Sequence, residues 1–151
     1  MKSVRERLIG MLVSMFWGET RMTHLPITAT DEELILFIDR WAALMELEDY
    51  EQAYAFTGHI PEMRWSPEHM RDVVRAYGDC EPNQKVTLFG KPTDTTQRKR
   101  VSRWARNDYG EIGEIWYDLN IDGYVSDLTA TFRIVEHDAG LEVKLNDIHV
   151  M

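Results

Sequence analysis

The stretch IWYDLNIDGYVSDLTATFRIV, residues 115–135, decides the fold of this chain. Ile115, Tyr117, Leu119 and Ile121 alternate with Trp116, Asp118 and Asn120, which is the period of a strand with one buried face. Asp122-Gly123 is a two-residue hairpin turn, because both positions accept positive φ. Residues 124–135 then return as the partner strand. A turn of that length sets the register: 121 faces 124, 119 faces 126, 117 faces 128 and 115 faces 130. The apolar residues of the first strand then share one face with Leu128, Ala130, Phe132 and Ile134. On the other face the same register sets Asp118 against Asp127 and Trp116 against Thr129.

Working outward, Asp138-Ala139-Gly140 turns the chain again, and Leu141, Val143 and Leu145 extend the apolar face. Ile148 and Val150 have the opposite parity, so a bulge is expected near Asn146-Asp147. Upstream, residues 86–89 read as a short strand, 91–96 as a connector and 99–106 as extended chain. Asn107-Asp108-Tyr109-Gly110 turns that segment back.

Before position 85 the hydrophobic period is 3.6 rather than 2. Thr30 and Glu33 form a capping box, followed by Leu34, Phe37, Ile38, Trp41 and Met45 at helical spacing to about Leu47. Asp49 caps a short helix through Phe56, which Gly58 closes. Ser66-Pro67-Glu68 opens a third helix, with Met70, Val73, Val74 and Tyr77 as its stripe and Gly78 as its stop. Residues 79–85 read as a loop, and His24-Leu25-Pro26 as an extended connector. The expected fold is α+β, with N-terminal helices packed on a curved, mostly antiparallel sheet of four to five strands. Residues 1–25 form an N-terminal helix and connector, and residues 26–151 a single domain.

The length of 151 residues suits one domain, and 44% apolar content suffices for a core. Lys2, Arg5 and Arg7 precede an apolar run over residues 8–17, but Glu6 interrupts the basic region and Gly18-Glu19-Thr20 offers no cleavage motif. The run is also too short to span a bilayer. It reads as a helix over 4–17 that packs on its own domain or on a second copy. A single cysteine, Cys80, permits no intrachain disulfide and suits the reducing cytoplasm.

The net charge of −9 is unevenly spread. Residues 26–84 carry thirteen acidic against four basic side chains, and residues 107–151 ten against two. Residues 85–106 carry seven basic against one acidic. An acidic chain is repelled by nucleic acid and anionic membranes, so neither is expected as a partner. Arg98, Lys99, Arg100, Arg103 and Arg106, interleaved with Trp104, are the local exception. Such a block can bind single-stranded nucleic acid, but its basic groups point both ways along an extended chain, which favours pairing with acids of the same protein.

Asp118 and Asp127 oppose like charges, which read either as two solvated acids bending apart or as a pair that shares a proton, holds a cation or receives a partner's arginine. Trp116 on the same polar face reads as a contact surface, a pocket wall, or a ring covered by another element. The acidic surface over residues 31–51 is a solvated helix face or a dock for a basic partner. The binding candidates are therefore Trp116, Asp118, Asp127 and Trp104. His24, His59, His69, His137 and His149 show no ligand spacing with one another or with Cys80. No phosphate loop, nucleophile elbow or zinc motif is present, and no catalytic residue, metal or cofactor is assigned.

Helices followed by a curved antiparallel sheet, with the Asp49-Tyr50-Glu51 start of the short helix after the long one, resemble the NTF2-like, or cystatin-like, superfamily over about residues 28–151. The run Ser126-Asp127-Leu128-Thr129-Ala130-Thr131-Phe132, with the ending Asp147-Ile148-His149-Val150-Met151, resembles an uncharacterised bacterial domain family, which implies no activity. The NTF2-like resemblance implies a scaffold shared by enzymes, dimerisation modules and carriers, so it selects no function. Two readings follow. The first is a non-enzymatic protein-binding or accessory domain, of the immunity type, that caps a basic partner or forms a homodimer. The alternative is a small-molecule binder or enzyme with a pocket between helices and sheet, where Tyr54, Tyr77, Tyr117, His69 or an inward acid supplies polar groups.

Overall fold

The computed structural model describes residues 24–79, 81–92 and 97–151. The helix expected over 4–17, Cys80 and part of the 91–96 connector lie outside the described residues. In chain order the elements are β1 (His24–Leu25), α1 (Asp31–Glu46), α2 (Tyr50–Phe56), β2 (Gly58–His59), a 3-10 turn (Pro61–Met63) and α3 (Pro67–Arg75). They continue with β3 (Val86–Thr87), β4 (Lys99–Arg103), β5 (Glu111–Ile121), β6 (Tyr124–His137) and β7 (Gly140–Val150).

Each helix starts at its side-chain cap. Thr30 Oγ1 accepts from the Glu33 amide at 3.2 Å, Asp49 from the Gln52 amide at 3.2 Å and Ser66 from the His69 amide at 3.0 Å. α1 buries Leu34, Ile38, Trp41 and Met45, and the Trp41 ring meets Phe132 edge to face at 5.1 Å. Ala53 and Phe56 of α2, and Met70 and Val74 of α3, complete the helical side of the core. No described helix is long and apolar enough to cross a membrane.

The sheet runs β1-β7-β6-β5-β3, with β2 also paired to β7 and β4 also paired to β5. All pairings are antiparallel except β2 with β7. The α+β architecture is thus as expected, but the sheet has seven strands rather than four to five. Two of them, β1 and β2, span two residues each, too few for an alternating pattern to show in sequence. Gly58 accordingly opens β2 instead of closing α2, and His24-Leu25 pairs with β7 instead of merely connecting.

The β5–β6 hairpin begins as expected, with φ of 51° at Asp122 and 84° at Gly123, and with Ile121 opposite Tyr124. The register then changes. Asn120 faces Val125, but Asp118 faces Thr129, Tyr117 faces Ala130, Trp116 faces Thr131 and Ile115 faces Phe132. Leu119 alone stands against Ser126, Asp127 and Leu128, so β6 gains two residues on β5. Ser126 fills the irregularity: its hydroxyl donates to Leu119 O at 2.8 Å and accepts from the Leu128 amide at 3.2 Å. A slip of two leaves side-chain parity intact from Gly113 to Ile121, so the apolar set stays on the core face; a further one-residue shift follows only at Ile112. The expected opposition of Asp118 to Asp127, and of Trp116 to Thr129, is therefore corrected, while the shared face of Tyr117 and Leu128 stands. On β7 the register shift leaves Asn146 unpaired, where the change of parity calls for a bulge.

Phe132 has no solvent exposure and carries contacts from both layers. Phe132→Ala is expected to lower stability by about 3–5 kcal/mol, read as a shift of the urea midpoint with an unchanged slope.

Candidate functional site

On the sheet face away from the helices, the register change turns a repulsive pair into a satisfied one. Asp118 is buried, and its Oδ1 accepts from Trp116 Nε1–H at 2.8 Å and from the Thr129 hydroxyl at 2.9 Å. Its Oδ2 accepts from the Arg98 amide at 2.7 Å, with the Arg98 guanidinium 3.9 Å away. The Asp118 amide in turn donates to Arg98 O at 2.8 Å. Gln97 donates to Asn120 Oδ1 at 2.6 Å, so the chain entering β4 is tied to β5 on both sides of Asp118. Three donors on its two oxygens make Asp118 an organiser of this surface.

Asp127, displaced by the irregularity, points elsewhere. The Tyr77 hydroxyl, beyond the end of α3, donates to its Oδ1 at 2.5 Å. Burial, and then the Asp127 bond, raise the Tyr77 phenol above its ordinary pKa, so it remains a donor at neutral pH. Among the described residues nothing donates to Asp127 Oδ2. Gln84 fixes Tyr77 by donating to Val74 O at 2.7 Å and to Tyr77 O at 2.5 Å, which also satisfies the end of α3.

These groups line a surface cleft of about 490 Å³, with Tyr77, Gln97, Arg98, Asp118, Asp127 and Met151 among its walls. Trp116 stands behind it, its ring beneath the guanidinium carbons of Arg98 at 4.9 Å and Arg100 at 5.7 Å. Of the four residues singled out from sequence, Asp118 and Asp127 line the cleft, and Trp116 joins them through its bond to Asp118 without lining it. Trp104 is not among the cleft's lining residues; its ring lies 5.9 Å from Arg133. Sequence reasoning missed Tyr77 as the partner of Asp127, and Gln97 entirely. The only signal for Arg98 was its place in the basic block.

Much of that block pairs with acids of the same chain, while among the described residues Arg100 has only the Trp116 ring. Lys99 reaches Asp39 at 3.2 Å, Arg103 reaches Asp31 at 2.8 Å and Ala29 O at 2.9 Å, and Arg106 reaches Glu136 at 3.4 Å. Lys99 and Asp39 also line a second surface cleft, between α1 and β4, with Ile35, Leu36 and Val101. At its base the Tyr117 hydroxyl donates to Asp39 at 2.6 Å. Burial first, and then the Asp39 charge, push the Tyr117 phenol well above its usual value, which excludes it as a base. Tyr54 stacks on His59 at 3.8 Å, and His69 on Trp65 at 4.4 Å. Of the polar groups expected for a helix–sheet pocket, Tyr117 bonds Asp39 of this second cleft, Tyr77 lines the first, and Tyr54 and His69 stack elsewhere. The first cleft opens on the outer face of the sheet, and the second opens at the surface where α1 meets β4.

The histidines, unrelated along the sequence, are partly gathered in space: the pairing of β1 with β7 puts His24 opposite Glu142, and the β6–β7 turn brings His137 alongside.

Residues 42–151 match the model of a family described as a domain of unknown function, DUF7668. The chain belongs to that family. The matched region holds α2, α3, every strand except β1, and all residues of the Asp118–Asp127 cleft. No curated protein and no solved structure matches this DUF7668 chain.

The two aspartates should respond differently to loss of charge. Asp118→Asn places an amide donor among donors and is expected to cost about 1–3 kcal/mol, measured by urea unfolding followed by tryptophan fluorescence. Asp127→Asn, at an exposed position, is expected to cost less than about 1 kcal/mol in the same assay.

Proposed function

We propose that this DUF7668 chain is a non-enzymatic protein-binding domain, of the accessory or immunity type, that receives a basic segment of a partner protein at the Asp127 cleft. The observation that carries this reading is the carboxylate of Asp127, anchored by Tyr77 on one oxygen and without a donor on the other among the described residues. It sits in a chain of net charge −9 whose cationic block is largely spent on internal acids. A basic partner gains from that field in encounter rate and orientation. A second copy of the chain offers the same acidic surface, which favours a distinct partner over a homodimer. Asp118 is engaged by three donors and the Tyr77 and Tyr117 phenols are held protonated, which leaves Asp127 as the open carboxylate of the cleft. The single cysteine fits a cytoplasmic setting.

One observation favours a second reading. The cleft's volume of about 490 Å³ lies in the range of small-ligand pockets, and it joins the half-exposed Arg98 guanidinium with the Asp127 carboxylate. A small zwitterion would suit that pair, in keeping with the carriers of the NTF2-like group that the chain resembles.

Amide and indole NMR shifts during titration with an arginine-rich peptide test the first reading. Tyr77, Ser126, Asp127 and the Trp116 indole are expected to move, the changes shrinking at high salt and in Asp127→Asn. Equal shifts with a charge-inverted peptide, or none at millimolar peptide, would sink it. Shifts at the same residues with free amino acids alone would select the second reading.

A further inference from the structure

His24, His137 and Glu142 form a corner of the sheet remote in role from the Asp127 cleft. Their ligand atoms all lie within 4.8 Å of one another. Each side chain is delivered by a different strand: His24 by β1, His137 by the end of β6 and Glu142 by β7. His24 and Glu142 are directly opposed, while His137 faces Gly140 two positions before Glu142. The two imidazoles meet edge to face at 5.4 Å, and His137 Nε2 lies 2.8 Å from Glu142 Oε1.

Two glycines build this corner. A Cβ on Gly140 would collide with Leu25 O, so glycine there lets β1 approach the β6–β7 turn. A Cβ on Gly58 would collide with Glu142 Oε2, so glycine there makes room for the carboxylate. One Glu142 oxygen thus lies over Gly58 of β2 while the other faces His137.

We propose that His24, His137 and Glu142 bind one divalent transition-metal ion of the zinc class. Two imidazoles and one carboxylate suit such an ion. The hard cations calcium and magnesium prefer all-oxygen sites. In a tetrahedral site with bonds of about 2.0–2.2 Å, ligand atoms lie about 3.3–3.6 Å apart. To reach that spacing His137 Nε2 and Glu142 Oε1, now 2.8 Å apart, must part slightly, while the wider separations within the 4.8 Å triad must close by about an ångström. His137 is 42% exposed, so rotation of its ring meets solvent on one side. Bound metal would clip β1, whose described residues pair with β7 at two positions, to the hairpin that carries both other ligands.

The test uses the untagged full chain, with Co²⁺ as a spectroscopic probe and Zn²⁺ in calorimetry. One Co²⁺ per chain with a visible ligand-field band is expected, together with a zinc-dependent rise in Tm that a chelator reverses. His137→Ala and Glu142→Gln, both checked for unchanged far-ultraviolet circular dichroism, are expected to weaken zinc binding by more than about tenfold. Because His24→Ala also loosens β1, the other two variants are the decisive ones. Absence of binding at millimolar zinc, or retention of wild-type affinity by either variant, would overturn the assignment.

Discussion

A β-strand presents alternate residues to opposite faces, and this alternation of two governs both the core and the cleft. Because β6 gains two residues on β5 rather than one, the irregularity at Ser126-Asp127-Leu128 moves partners without moving faces. Ile115, Tyr117, Leu119, Leu128, Ala130, Phe132 and Ile134 keep the core side, where α1 covers them. A gain of one would have sent half of this set into water.

The same irregularity settles the electrostatics of the outer face. In an unbroken hairpin Asp118 and Asp127 would repel each other directly. Instead Asp118 meets Thr129, collects donors from Trp116 and Arg98 and becomes buried, while Asp127 swings to Tyr77. One carboxylate is consumed in holding the surface, and the other is left to face the cleft. The basic block follows a similar logic: Lys99 and Arg103 bind β4 to acids of α1, and Arg106 reaches β6.

Much of this was legible in the sequence because it rests on local rules. The caps at Thr30, Asp49 and Ser66, the Asp122-Gly123 turn and the parity change at Asn146 each involve residues close in the chain. The irregularity was not legible, because a shift of two preserves the hydrophobic pattern from which register is read. The bond from Tyr77 to Asp127 and the meeting of His24 with His137 and Glu142 depend on how distant segments pack. The two-residue strands β1 and β2 leave no periodic trace at all. Of the four residues marked as a binding surface, Trp104 falls outside the cleft because β4 ends before it and its ring turns toward Arg133.

The pairing of β5 with β6 is most directly read from backbone nuclear Overhauser effects in the isotope-labelled protein. Cross-strand contacts linking Tyr117 to Ala130 and Asp118 to Thr129 are the expected result. Contacts linking Tyr117 to Leu128 and Asp118 to Asp127 would contradict the two-residue shift, and with it the separation of one structural carboxylate from one that faces the cleft.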